Sequence, residues 1–166
     1  DINESGKKFT VRDGKIRFGL LGVKNLGEGA IDAIIDAREN KGMPKDIFGF
    51  IENLDIHKVN KKAVESLIRA GALDRLNENR AAHLSVYEGL MESLQSTARH
   101  NVEGQISLFQ TNAETMEESR SSSLPDVRNF SSEELIAQEK EMLGVYITGH
   151  PLKEYEDMIG RMVSVT

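Results

Sequence analysis

Hydrophobic positions along this 166-residue chain change period several times, and each change marks an element. Phe9 to Phe18 alternates in two short runs around Asp13-Gly14, which predicts two short antiparallel strands joined by a tight turn. A short apolar run then begins at Leu20 and enters a glycine-bearing turn. Beyond it Ala30, Ile31, Ile34 and Ile35 recur at helical spacing, with Glu28, Asp32, Asp36 and Glu39 on the other faces. Leu20 to Arg38 therefore reads as helix, hairpin and helix, ended by Gly42 and Pro44. Asp46 is placed to cap a short helix carrying Ile47, Phe48, Phe50, Ile51 and Leu54, too apolar on every side to be anything but core. Asp55 to Asn60 connects it to a helix with Ala63, Val64, Leu67 and Ile68 on one face, closed by Gly71 as a left-handed cap.

Further on, residues 79–98 read as one longer helix capped by Asn79, with Leu84, Tyr87, Met91, Leu94 and Ala98 in a stripe. Arg99 to Ser123 is rich in Ser, Thr, Asn, Glu and Gln, which predicts a mobile linker. Ser131 and Glu134 have capping-box spacing at the head of a helix that runs to Gly144. After it Val145-Tyr146-Ile147 reads as extended, Gly149 to Leu152 as a turn into a short acidic helix ending near Gly160, and Met162 to Thr166 as the start of a strand.

The two hairpin units share a shape. Lys58-Val59-Asn60 falls where Asn25-Leu26-Gly27 fell, and Ala63 where Ala30 fell, an internal repeat of about 33 residues. The expected fold is mainly α. A short N-terminal β-hairpin segment (1–19) precedes a tandem hairpin domain of helices (20–98), a polar linker (99–130) and a C-terminal helical and extended segment (131–166).

Charge narrows the partners. The net charge is −6, but residues 1–83 hold 15 Lys and Arg against 13 Asp and Glu, and residues 84–166 hold 6 against 14. Any phosphate contact belongs to the first half and is local rather than a broad basic field. Without cysteine there is no disulfide framework and no thiolate metal site. No apolar run has the length of a membrane span and no basic leader precedes a cleavage site, so a cytoplasmic protein is expected. Asp1 in place of a methionine, and an ending within an apparent extended run, lead us to expect part of a larger protein.

Two readings of the first turn stand side by side. Gly27 and Gly29 flank Glu28 where a helix begins, and the free amides of a helix start can donate to a phosphate. Equally, a tight turn between two core helices needs glycine only for its dihedrals. The second unit has lost both glycines and instead carries Lys58, Lys61 and Lys62 beside a helix start. Those ammonium groups either meet phosphates or form a solvated basic rim. Within the linker, Gln105-Ile106-Ser107-Leu108-Phe109 places apolar side chains in polar surroundings: they either anchor a partner's groove or fold back on the local core.

The first turn, with Asn25-Leu26-Gly27 and an alanine at 30, resembles the helix-hairpin-helix family. That family has glycine where this chain has Asn25, a residue that tolerates left-handed dihedrals. Taken in order, IRFGLLGVKNLGEGA, VNKKAVESLIRAGALD, QISLF and EKEMLGVYITGHPL closely resemble the family of alpha subunits of bacterial DNA polymerase III. The resemblance implies the end of the fingers, a tandem helix-hairpin-helix domain on duplex DNA, and a connection into an OB-fold domain. Backbone phosphates would meet Lys24, Asn25, Leu26, Gly27 and Gly29 in the first hairpin, and Lys58, Asn60, Lys61 and Lys62 in the second. The resemblance also makes Gln105, Ile106, Ser107, Leu108 and Phe109 a peptide that docks on the β sliding clamp, with the other subunits of the replicative holoenzyme as further partners.

The chain itself carries no catalytic signature. It contains no Asp-x-Asp of the kind two-metal nucleotidyl transfer uses, and its Glu-Glu pairs sit in linker and cap positions. His57, His83, His100 and His150 lack ligand spacing, and no P-loop appears. No cofactor is expected here. The DNA-directed DNA polymerase activity and the magnesium that the resemblance implies are expected in a catalytic palm outside this sequence. The alternatives are a helix-hairpin-helix repair enzyme, a glycosylase or nuclease using Asp46 or Asp55, and a purely protein-binding helical module.

Overall fold

The computed structural model describes residues 1–102, 123–155, 158 and 160. Two short strands, β1 (Thr10–Arg12) and β2 (Lys15–Arg17), pair antiparallel as the alternation predicts. Asp13 and Gly14 both adopt positive φ, 54° and 71°, the backbone of a type I′ turn whose twist suits a two-residue hairpin. At the base of this ribbon the rings of Phe9 and Phe18 meet edge to face with centroids 4.5 Å apart.

Five α-helices follow among the described residues. They are α1 (Glu28–Lys41), α2 (Ile47–Asn53), α3 (Lys61–Arg69), α4 (Arg80–Val102) and α5 (Ser132–Leu143). Their ends obey the cap residues. Asp46 accepts from the Gly49 amide, Asn60 from Ala63 and Asn79 from Ala82, while Ser131 and Glu134 close a complete capping box. Each such cap is worth about 1 kcal/mol. Gly71 has φ +72°, the left-handed conformation that ends α3.

The element expected before the first hairpin is not an α-helix. Leu20–Gly22 makes a single 3-10 turn. The Lys24 amide, which an α-helix begun at Leu20 would turn to the Leu20 carbonyl, donates instead to the Met142 carbonyl, and the Val23 amide takes the Leu20 carbonyl in the tighter turn. Phe18 also folds over Gly22 so closely that a Cβ there would lie 2.2 Å from its ring. Two boundaries differ as well. α4 continues past Ala98 to Val102, and Val145 to Ile147 bends rather than extends. A 3-10 turn at Pro151–Tyr155 follows. Met162 to Thr166 lies outside the described residues.

α4 packs across α2 and α3, and α5 packs against α3. One apolar core runs through Ile31, Ile47, Ile51, Val64, Leu67 and Met91, all nearly inaccessible to solvent. The stripe expected on α4 is buried at Tyr87 and Met91 and packs on the core at Leu84 and Leu94, but the same face also carries buried Arg80 and His83. Among the described residues no helix is long and apolar enough to cross a membrane.

Candidate nucleic-acid interface

The repeat seen in the sequence is a repeat of structure. α1 and α3 open at Glu28 and Lys61, 33 positions apart, after the paired caps Gly27 and Asn60. Leu26 and Val59 are buried as the apolar pin of each turn, and Ala30 and Ala63 are buried one turn into each helix. Small alanines there let each helix start approach its neighbours closely.

The two turns nonetheless present different chemistry. In the first, Asn25 takes φ +62°, the left-handed position that its side chain tolerates, and its amide Nδ2 donates to Ser66 Oγ on α3 at 3.0 Å. The Lys24 amide donates to the Met142 carbonyl at the end of α5. The turn is thus held from two sides. Gly27 has φ −80° and offers no capping side chain, so the amides of Gly27, Glu28 and Gly29 have no acceptor among the described residues. A Cβ built at Gly27 or Gly29 would meet nothing within 4 Å. Neither backbone strain nor a crowded neighbour calls for glycine at these two positions, and a glycine inside a helix costs about 0.5–1 kcal/mol relative to alanine. Three amides of exposed residues at the positive end of a 14-residue helix dipole are therefore left without a partner among the described residues.

Glu28, the acid that would oppose a phosphate at this spot, is occupied. Lys7 bridges it at 2.9 Å and Asp32 at 3.2 Å. Hydrogen bonds to Glu28 and Asp32 hold the Lys7 ammonium above its usual range, against the smaller opposing effect of burial. Lys24 is exposed and has no ion pair among the described residues.

At the second turn the caps and charges are satisfied internally. Asn60 fills its own helix start by accepting from the Ala63 amide at 2.9 Å. Lys61 pairs with Glu92 at 2.6 Å, Lys62 with Glu65 at 2.9 Å, and Lys58 lies 3.7 Å from Asp55. The three lysines are grouped around one helix start as the sequence suggested, but each already faces a carboxylate. Asp55 and Asp46, the acids a repair enzyme would have used, are engaged in turn and cap bonds to His57 and Gly49.

This geometry has a counterpart among known proteins. A family model described as a helix-hairpin-helix motif matches residues 1–83. The chain belongs to the helix-hairpin-helix family. Over nearly its whole length it is also similar to proteins named DNA polymerase III subunit alpha. That of Pseudomonas aeruginosa is 35% identical over 97% of this chain, that of Borreliella burgdorferi 36% over 99%, and that of Vibrio cholerae 37% over 93%. The chain spans only 15%, 14% and 13% of the lengths of those relatives.

Three contributors to the helix-hairpin-helix site escaped the sequence reading. Ser66 fixes Asn25, Lys7 masks Glu28, and the Met142 carbonyl anchors Lys24. Only Ser66 left a trace, as a hydroxyl on the apolar face of α3. Gln105 to Phe109, the expected clamp-docking peptide, lies outside the described residues.

Proposed function

We propose that this chain is a non-catalytic, duplex-DNA-gripping region of a replicative polymerase alpha subunit, and that the first hairpin is its principal phosphate contact. The observation that carries this reading is the open amide cluster of Gly27, Glu28 and Gly29, which has no acceptor among the described residues and no packing reason for its glycines. Those amides and the Lys24 ammonium would hold backbone phosphates without reading bases. The second hairpin would contribute less, since Lys58, Lys61 and Lys62 must leave carboxylate partners before they meet DNA.

The similarity to polymerase alpha subunits supports the replicative setting. In that setting Gln105, Leu108 and Phe109 would dock on the β sliding clamp, and nucleotidyl transfer with its magnesium would belong to another part of a longer protein. Tethering to a clamp raises effective concentration, so a weak grip suffices for long residence. Titrating the 166-residue chain with unrelated duplexes at several salt concentrations tests the DNA reading. Weak binding that falls steeply with salt and ignores sequence is expected. A flat salt response, or strong preference for one duplex, overturns it. For the clamp, Leu108→Ala with Phe109→Ala is expected to abolish binding to the cognate clamp, and unchanged affinity removes that part of the proposal.

A further inference from the structure

The β1–β2 ribbon is built with two unlike faces. Its register sets Thr10 opposite Arg17, Val11 opposite Ile16 and Arg12 opposite Lys15. Alternation then gathers Arg12, Lys15 and Arg17 on one face and Val11 with Ile16 on the other. Residues 7–18 hold five Lys and Arg against the single acid Asp13, whose place is set by the positive φ of the turn.

Like charges directly opposite each other weaken a two-stranded ribbon, yet Arg12 and Lys15 are such a pair. Neither has an ion pair among the described residues. Glu4, which feels the Arg12 charge, is already taken by Arg17 and Arg75. Arg12 and Lys15 border a cleft of about 440 Å³ whose deeper carboxylates, Asp74 and Glu139, are both bound to Arg80. On the cationic face Arg17 is paired with Glu4, while Arg12 and Lys15 have no ion pair among the described residues, in contrast to the lysines of the second hairpin.

The ribbon is also continuous with the first hairpin. Lys7, just before β1, sits on Glu28 at the start of α1, and the Leu20 and Leu21 amides, just after β2, bond back to Gly6 and Lys7. We propose that the cationic face of the ribbon, through Arg12 and Lys15, is a second contact for the backbone phosphates of the duplex held by the first hairpin. The inference rests on the DNA reading above and adds to it a site on a different element.

The test is the salt dependence of duplex binding by the 166-residue chain carrying Arg12→Gln and Lys15→Gln. Two lost phosphate contacts reduce the slope of log K against log salt by about 1.8, at roughly 0.9 per phosphate. The exchange Arg12→Lys with Lys15→Arg keeps both charges and is expected to retain the slope, which separates lost contacts from a damaged ribbon. Val11→Thr with Ile16→Thr, on the other face, is expected to leave it unchanged. Lys24→Gln reports on the first hairpin independently. An unaltered slope in the double Gln variant, with a reduced one for Lys24→Gln, overturns the ribbon contact and leaves the hairpin reading standing. Absence of salt-dependent binding by the parent chain overturns both. If the double Gln variant loses affinity for poly-glutamate but not for duplex, the face serves an acidic polypeptide and the proposal fails.

Discussion

Arg80 and Glu139 meet at 2.9 Å in the interior, one from the start of α4 and the other from the middle of α5, with side chains 3% and 1% exposed. Arg80 also forks onto Asp74 and donates to the Arg69 carbonyl, while Glu139 gathers the amides of Ile147 and Thr148 and the Thr148 hydroxyl. Burial opposes ionisation of Glu139, but the Thr148 amide, Arg80 and the Thr148 hydroxyl together hold its carboxyl below the usual range. This cluster ties the end of α3, the start of α4 and the segment after α5 to one point.

Removing one partner strands the other. Arg80→Ala leaves Glu139 buried without its cation and is expected to cost about 3–5 kcal/mol. Glu139→Gln keeps the shape and leaves Arg80 with Asp74, so its cost is expected to be smaller. Urea denaturation with an unchanged m-value measures both. Equal midpoints for the two variants would show that the Arg80–Glu139 charge pair is not what holds α5.

Gly71 is tied to the same cluster. Its φ is +72°, and a Cβ would lie 2.2 Å from Arg80 Nη2 and 2.8 Å from Asp74 Oδ2. Gly71→Ala is therefore expected to combine left-handed strain of about 1 kcal/mol with displacement of the buried guanidinium. A thermal midpoint lowered by more than that of an Asn60→Ala cap variant is the expected result. A smaller shift means that Arg80 relaxes without cost.

Local signals were the legible part of this fold. Asp13-Gly14, the Ser131 and Glu134 box, Asp46 and Gly71 each act within a few residues, so their physics is complete in the sequence. The paired units were legible because an offset of 33 preserves burial at Leu26 and Val59 and at Ala30 and Ala63. Leu20–Gly22 was misjudged because the Lys24 amide that would extend it into an α-helix is claimed by Met142, a tertiary event. The apolar stripe of α4 likewise concealed Arg80, whose burial is compensated by Glu139, 59 positions away. In the candidate site, glycines and lysines were readable as types. That Lys61 faces a carboxylate was not, because Glu92 reaches it from another helix.

His83 is fully buried on α4, and neither ring nitrogen has a hydrogen-bond partner among the described residues. Burial lowers its pKa from 6.5, only partly opposed by Asp74. The folded state therefore takes up this proton only at lower pH than the unfolded chain, which does so near pH 6.5. Stability from this residue is fully present above that pH and is lost as pH falls below it, by at most about 1.4 kcal/mol per pH unit. Glu139, whose pKa is lowered from 4.5, contributes its loss only in a more acidic range. His83→Leu is expected to flatten the stability curve between about pH 6.5 and 5. Denaturation midpoints across that range check it, and an unchanged slope would show that His83 does not titrate on unfolding.

Gly29 separates folding from binding. It lies in the first turn of α1 with open space where a side chain would be. Gly29→Ala removes backbone entropy from the unfolded chain and improves helix propensity, and is expected to stabilise the protein by about 0.5–1 kcal/mol. The same methyl stands where a phosphate would approach the amides of Gly27, Glu28 and Gly29. Duplex affinity is expected to fall up to about tenfold, equivalent to about 1.4 kcal/mol. Stability and affinity then move in opposite directions, a result that general damage to the domain cannot produce. A more stable variant with unchanged affinity would mean that the glycines face open solvent to no purpose and that the amide cluster is not the phosphate contact.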